Sequence, residues 1–262
     1  MRRLSIGIVL ALSIGILAGC TSQTQVSFAP EKGDARTYRL FSRAEYQMRD
    51  ATTDKDWVLE SEGLARYRAG DDASGMTITP LNLCVSGQRS VHNYCSSWKG
   101  ERSPWLRAVL AAGFKVPEDA HDQRWPQALK PDTMAALRER DEDFARLMPR
   151  QFVAPAVFSG LDATPGNTRT LDSIAGLPPA ILTVMAVTPD RVFVSLAPSV
   201  EGDHLAGHLV IDRHSGWIER MAAVYESSVS MGGRQEPVRQ LITLAPTDWH
   251  AQSLRHHYDA PR

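Results

Sequence analysis

Two segments near the start of the chain alternate between apolar and polar residues, and this alternation restricts the fold more than any other feature. The apolar residues of segment 38–48 share one face, and those of segment 57–68 do the same. They are Tyr38, Leu40, Ala44, Tyr46 and Met48 in the first segment, and Trp57, Leu59, Gly63, Ala65 and Tyr67 in the second. A two-residue period is typical of a strand with one buried face and one solvated face. The polar turn between the segments predicts an antiparallel hairpin.

Further strands are predicted before and after the middle of the chain. Residues 76–85 predict a third strand, in which Pro80 indicates an edge or a bulge. The C-terminal third alternates again, and turn residues divide it into five strands. These are predicted at residues 180–187, 191–197, 206–211, 217–229 and 237–244. Asp212 at the start of one turn and Gly216 at its end are typical of a tight loop with one left-handed residue.

The middle of the chain has a different pattern, which predicts two helices. We predict one at residues 103–113 and a second from Asp132 to just before Pro149, because each begins with an N-cap residue and ends at a glycine or a proline. Residues 149–179 are rich in proline and glycine, and we expect them to be irregular except for a short strand near residues 152–158. The sequence therefore predicts an α+β fold, with a curved, largely antiparallel sheet of about eight strands and a two-helix insert.

The first twenty residues combine a positive start, an apolar run and a cysteine. Arg2 and Arg3 precede an uncharged run of 14 apolar or small residues. Such a run fits the core of a signal peptide, which needs about 7–15 residues, whereas a membrane-spanning helix needs about 20. A short signal anchor and a buried helix are the alternatives.

The apolar run ends in Leu17-Ala18-Gly19-Cys20, and here the sequence resembles the lipobox of bacterial lipoprotein precursors. The resemblance implies that residues 1–19 are a signal peptide, and that Cys20 carries a diacylglycerol thioether and an N-acyl chain such as palmitate. Three acyl chains exceed the two signals that stable anchoring needs. Thr21 stands where aspartate would retain such a protein in the inner membrane. The resemblance thus implies a lipid-anchored protein of the outer membrane with its domain facing the periplasm.

The mature chain is expected to contain one domain. Residues 20–34 are polar and small and predict a flexible tether. Residues 35–250 show no internal boundary and predict a single α+β domain, and residues 251–262 form a tail. The 262 residues are 43% hydrophobic, which suffices for a core. The formal charge of −1 excludes the basic footprint that nucleic-acid binding requires.

Cys84 and Cys95 remain once Cys20 is assigned to lipid. An oxidising periplasm favours a disulfide between them, and closing a loop of about 12 residues stabilises a fold by about 3 kcal/mol. Two free thiols are one alternative. A metal site formed by Cys84, His92 and Cys95 is the other, but it lacks a fourth ligand and the close ligand pairs typical of zinc.

The residue types that usually carry catalysis show no arrangement that predicts a catalytic site. His204 and His208 would lie roughly 13 Å apart on a strand, which is too far for one metal ion. The His-Ser-Gly sequence at residues 214–216 falls in a predicted turn. The chain contains no Gly-x-Ser-x-Gly, Ser-x-x-Lys or phosphate-loop motif. We therefore expect no enzymatic activity, no cofactor and no metal site.

Three tryptophans, Trp98, Trp105 and Trp125, cluster in the middle of the chain. Packing in the core is one interpretation, and an aromatic groove for a ligand or partner is the other. The expected architecture is similar to the half-barrel carriers and receptors of lipoprotein transport, with no motif residue to transfer. We hypothesise a non-enzymatic envelope protein that binds a lipid-like ligand or a protein partner. A periplasmic hydrolase acting on cell-wall or ester substrates is the alternative.

Overall fold

The computed structural model describes a single antiparallel sheet of eleven strands. The described residues are 25–50, 53–70, 75–87, 93–96, 114–117, 135–136, 138–139, 145, 147–172, 178–201, 204–231 and 234–247. The strands are β1 Ala35–Asp50, β2 Thr53–Ala69, β3 Gly75–Gly87, β4 Tyr94–Cys95, β5 Phe114–Pro117, β6 Thr168–Leu171, β7 Ala180–Val187, β8 Arg191–Pro198, β9 Leu205–Asp212, β10 Ile218–Met231 and β11 Arg234–Pro246.

The strand order shows how the two ends of the domain meet. Across the sheet the order is β4-β3-β2-β1-β11-β10-β9-β8-β7-β6, and β5 also pairs with β3. Strands β1 to β3 form one meander, and β6 to β11 form a second. They join where β1 pairs with β11, from the pair Tyr38 and Pro246 to the pair Tyr46 and Val238. Both halves of the chain therefore contribute to one hydrogen-bonded sheet.

The predicted fold class is wrong. The part of the chain that the structure describes is mostly antiparallel sheet, and it is not an α+β fold of about eight strands with a two-helix insert. The first predicted helix, at residues 103–113, lies outside the described residues. Within the second, the described positions 135–136, 138–139, 145 and 147 are helical. The prediction missed β4, β5 and β6, which have two to four residues each and are too short for a period to be visible.

Most of the individual strand predictions are correct. The eight predicted strands are confirmed as β1 to β3 and β7 to β11. The bulge indicated by Pro80 is also confirmed, because the pairing of β3 with β2 skips Leu81. The short strand predicted near residues 152–158 is wrong, since Pro155–Phe158 is a 3-10 helix. Pro155 has no N–H to donate to a neighbouring strand, which disfavours sheet pairing there.

The core lies on one face of the sheet, which we call the inner face. Most of the described alternate residues of the long strands are buried there, as the two-residue period predicted. Residues 147–161, called here the interior segment, pack against this face. Their buried apolar side chains are Leu147, Phe152, Val153, Ala154, Phe158 and Leu161.

Residues 25–34 pack against the domain, although they were expected to belong to a flexible tether. The Val26 N–H donates to the Leu161 carbonyl, and the Val26 carbonyl accepts from the Gly160 N–H, each over 2.7 Å. The Phe28 ring contacts the Trp217 ring edge to face at 5.1 Å. The tether prediction is therefore wrong for this stretch, which we call the docked segment. Its few apolar residues lie among polar neighbours, so its composition resembles that of a flexible linker.

Candidate functional site

Two of the predicted site residues form a covalent bond. Cys84 on β3 and Cys95 on β4 are paired across the two strands, and their sulfurs form a disulfide. The predicted disulfide is thereby confirmed, and it fastens the short strand β4 to the sheet. It also leaves neither sulfur as a thiolate, so the alternative metal site with these two ligands is wrong.

The other predicted site residues lie outside the described part of the chain. These are the lipidation site Cys20 and the three tryptophans Trp98, Trp105 and Trp125. The lipid anchor and the aromatic groove therefore stay predictions. Within the described ranges, no helix is both long enough and apolar enough to cross a bilayer.

The described histidines lie at the surface. His204 Nε2 is 3.9 Å from a Glu226 carboxylate oxygen, and His214 Nε2 is 3.4 Å from a carboxylate oxygen of Asp190. More than half of each of these four side chains is exposed, so neither pair is shielded from water. No group of three His, Cys, Asp or Glu side chains in the described ranges could hold a metal ion.

A row of polar side chains crosses the inner face, where the strands otherwise present apolar residues. The Tyr225 hydroxyl donates to Gln240 Oε1 at 2.6 Å, and Gln240 Nε2 donates to Ser42 Oγ at 2.7 Å. Ser42 is the register partner of Ser61 on β2. The Ser61 hydroxyl donates to Oε1 of Gln151, in the interior segment, at 3.0 Å. We call these five residues the polar row.

The polar row is buried and almost fully hydrogen-bonded. Gln240 is 0% exposed and Gln151 is 1% exposed. Leaving a buried polar group without a partner costs about 1–3 kcal/mol, so such groups normally bond to something. Two atoms on this face do not bond to any described residue: Nε2 of Gln151 and the hydroxyl of Tyr67. Both are able to donate a hydrogen bond to a bound molecule.

Arg150 brings a positive charge to one end of the polar row. Its Nη1 donates to Ser227 Oγ at 2.9 Å, and its guanidinium also bonds to the Tyr225 hydroxyl. Burial raises the pKa of Tyr225 to about 12, although the charge and the hydrogen bond of Arg150 act in the opposite direction. The phenol therefore keeps its proton at neutral pH and remains the donor to Gln240.

Sequence reasoning singled out neither Arg150 nor any residue of the polar row. A signal was nevertheless present, because Ser42 and Ser61 occupy inward positions of the two alternating segments. Gln240 likewise lies in phase with the buried residues Val238 and Ile242. A polar residue that shares the two-residue period of buried apolar residues indicates a buried polar site. Which of these positions meet depends on strand pairing, which one sequence does not reveal.

Comparison with known proteins identifies no family. No family model matches the chain, and no curated protein matches it. A solved structure concerned with lipid–protein interactions in lipovitellin matches with a TM-score of 0.48 and 10% sequence identity. The match covers 84% of this chain and 25% of the lipovitellin chain, so the chain spans about a quarter of that protein's length. A likeness at this level establishes neither a shared family nor a shared function.

Proposed function

We propose that this protein is a lipid-anchored envelope protein whose inner sheet face binds a lipid-like molecule. The observation that carries the proposal is the chemistry of that face. It is an extensive apolar face, buried in this structure and crossed by one polar row, and two of its buried donors bond to no described residue. An amphipathic ligand matches both parts. Its acyl chain would contact the apolar residues, and its ester or head-group oxygens would accept hydrogen bonds from the buried donors.

The apolar residues of the face supply enough energy for such a ligand. Burying one methylene group contributes about 0.8 kcal/mol. A chain of 16 carbons would thus contribute on the order of 10 kcal/mol before the cost of association is subtracted. After an association cost of about 4 kcal/mol, the low end of its range, about 6 kcal/mol remains, which corresponds to a Kd on the order of 10⁻⁵–10⁻⁴ M before any head-group contact is added.

The interior segment occupies part of this face, so the ligand would displace some of it. This segment consists of two short 3-10 helices and irregular chain, and it contributes no strand to the sheet. Regions with few backbone hydrogen bonds open at a lower free energy than the centre of a sheet does. We therefore propose that residues 152–161 of the segment move, while the sheet and the 3-10 helix Met148–Gln151 stay in place.

The sequence of the first twenty residues supports the anchor. Its lipobox resemblance ends at Cys20, and the docked segment begins at Gln25. The acyl chains would hold the domain at the membrane, where lipid-like ligands are abundant. No arrangement among the described residues favours the alternative hydrolase, and no separate observation supports a protein partner.

The experiment is to measure lipid binding by the mature chain in soluble form. Residues 1–19 are replaced by an ordinary export signal and Cys20 by alanine, so that the protein enters the periplasm without acyl chains. Native mass spectrometry then detects any lipid that copurifies. Displacement of a fluorescent fatty acid by saturated fatty acids of 8, 12 and 16 carbons gives relative affinities.

The proposal expects one bound lipid per chain and an affinity that rises with chain length, because each methylene adds buried apolar area. Absence of copurified lipid, together with no binding of the fluorescent fatty acid, would overturn it. An affinity that does not depend on chain length would also contradict it, since the acyl chain would then not be the part that the protein binds.

A further inference from the structure

Arg150 lies over the inner face of the sheet. It belongs to the 3-10 helix Met148–Gln151, and its side chain reaches β10 at Ser227. Ser227 is two residues from the buried Tyr225, so both occupy inward positions of that strand. Ser227 and Arg150 are themselves only half-buried. The guanidinium therefore lies at the border between the apolar face and solvent.

The charge of Arg150 is not compensated by the described part of the protein. Two other half-buried arginines bond to carboxylates: Arg36 lies 3.4 Å from Asp212, and Arg43 lies 3.1 Å from both Glu45 and Glu60. The half-buried Arg169 donates to the Ser159 carbonyl instead. Arg150 bonds instead to two neutral hydroxyls, and none of the ion pairs among the described residues includes it. A partly desolvated cation without a counter-charge is costly. An anion bound beside Arg150 would remove that cost.

The surroundings of Arg150 hold its guanidinium in place. The Tyr225 hydroxyl, which accepts a hydrogen bond from Arg150, is itself oriented by its bond to Gln240. Gln240 is oriented in turn by Ser42. A guanidinium has five N–H donors, and two hydroxyl partners leave donors for a ligand. The Ser227 oxygen accepts from Arg150, so its proton is directed elsewhere and can also bond to an anion.

We propose that Arg150 binds the anionic head group, a carboxylate or a phosphate ester, of the lipid-like ligand. The inference rests on the proposed function and specifies its ligand class. A head group at Arg150 would keep contact with solvent, while the acyl chain would extend from it over the apolar face. Guanidinium groups match carboxylates and phosphates through paired N–H donors, and such charge-assisted bonds are roughly twice as strong as neutral ones.

The test compares ligands that share one chain of 16 carbons and differ in the head group. Palmitate, hexadecyl phosphate and the neutral hexadecanol compete with the same fluorescent probe, each below the concentration at which it aggregates. The soluble mature chain is measured beside Arg150→Gln and Arg150→Lys. Arg66→Gln, which removes an exposed arginine of β2, is the matched control. Circular dichroism and thermal unfolding verify that each variant is folded.

We expect the unmodified protein to bind at least one of the two anions about tenfold more tightly than hexadecanol, a ratio typical of one charge-assisted contact. The anion that binds more tightly identifies the head-group chemistry. Arg150→Gln should abolish this preference and leave hexadecanol affinity within about twofold, whereas Arg150→Lys should retain part of it. Arg66→Gln should change none of the three affinities.

The outcomes separate this inference from the proposed function. Equal affinities for the anions and the alcohol would overturn the role of Arg150 and leave lipid binding intact. An equal loss of affinity for all three ligands in a folded Arg150→Gln variant would overturn it as well. Arg150 would then affect binding through the structure of the interior segment and not through the head group. Failure of every ligand to bind the unmodified protein would overturn the proposed function itself.

Discussion

The Tyr225 hydroxyl donates a 2.6 Å hydrogen bond to Gln240 Oε1 on the neighbouring strand, and both side chains are buried in a largely apolar face. Tyr67 is buried on the same face, but its hydroxyl bonds to no described residue. The two tyrosines therefore differ in whether their hydroxyl groups are hydrogen-bonded. This difference makes them a matched pair for measuring what the polar row contributes.

Tyr225→Phe should lower the free energy of unfolding by about 1–3 kcal/mol, because it removes the partner of the Gln240 oxygen and of an Arg150 donor. Tyr67→Phe should change it by less than about 0.5 kcal/mol or increase it, since the lost hydroxyl has no bond to give up. Urea denaturation at neutral pH measures both variants. Equal losses of unfolding free energy in the two variants would show that the hydrogen bonds of Tyr225 do not stabilise the protein.

Gly216 allows the docked segment to approach the turn before β10. Its φ is +73°, and an added Cβ would lie 2.3 Å from the Ser27 carbonyl oxygen. Gly166 has a φ of +89° with no atom within 4 Å of such a Cβ. Gly166→Ala should therefore cost only the left-handed penalty of about 1–2 kcal/mol. Gly216→Ala should cost more and should also loosen the docked segment.

Hydrogen exchange at the Val26 amide distinguishes these two glycine variants. That amide donates to the Leu161 carbonyl, so it should be protected in the unmodified protein and in Gly166→Ala. In Gly216→Ala the Val26 amide should exchange faster, at a pH where the amides of the sheet remain protected. Unchanged Val26 exchange in Gly216→Ala would mean that the segment does not depend on this close approach.

Asp212 should make stability depend on pH in the acid range. Burial acts to raise its pKa, but hydrogen bonds from the Ser215 N–H and hydroxyl and from the His214 N–H, together with the charge of Arg36, lower it below 3.8. A carboxyl whose pKa is lowered by folding stabilises the fold above its unfolded pKa. That contribution is lost as the pH falls through the folded value.

Asp212→Asn keeps a side-chain acceptor for the turn and removes the charge. The stability advantage of the unmodified protein over this variant should be largest near neutral pH and should shrink below about pH 4. Denaturant midpoints measured for both proteins from pH 7 to pH 2.5 give this difference. A difference that is the same at every pH would contradict the assigned interactions of Asp212.

The docked segment restricts how the proposed anchor can orient the domain. Five residue steps separate Cys20 from Gln25, and Gln25 forms a bridge to Asp162. A fully extended chain covers about 3.5 Å per residue, so the acylated end would lie within about 18 Å of this bridge. The loop that carries Thr164 should therefore face the membrane. Glu201 follows β8, at the strand end that is farther from the turn that contacts the docked segment. It should therefore lie farther from the membrane than Thr164.

Fluorescent labels at Thr164→Cys and Glu201→Cys, introduced separately, measure this orientation in vesicles containing nitroxide-labelled lipid head groups. Nitroxide should quench the label at position 164 more strongly than the label at 201. A control with a flexible insert of about 20 Gly and Ser residues between Thr24 and Gln25 should reduce the difference, because it lengthens the reach. Equal quenching without the insert would contradict the proposed geometry.

The sequence predicted the strands of this fold far better than their assembly. Alternation identified the eight long strands because each buries one face, whereas β4 to β6 are too short to show a period. The docked segment escaped prediction because Val26 and Phe28 are surrounded by polar residues. The turn that receives them, at Gly216, lies near the other end of the chain.

The candidate site was not predictable for a related reason. Ser42 and Gln240 can each be recognised in the sequence as polar residues at positions where the strand period places apolar ones. Their contact, however, requires the pairing of β1 with β11. Arg150 follows a proline that ends a predicted helix, and nothing in that local pattern indicates an inward side chain. Sites assembled from distant strands become evident only when the register is known.

The claim that the inner face binds acyl chains is tested most directly by photo-crosslinking. A palmitate analogue with a diazirine near the end of its chain is bound to the soluble mature protein, irradiated, and its attachment sites are mapped by mass spectrometry. We expect attachment to inner-face residues such as Leu40, Leu83 and Ile242, and competition by unlabelled palmitate. Attachment only to exposed residues such as Leu81 and Met185, or attachment that palmitate does not reduce, would contradict it.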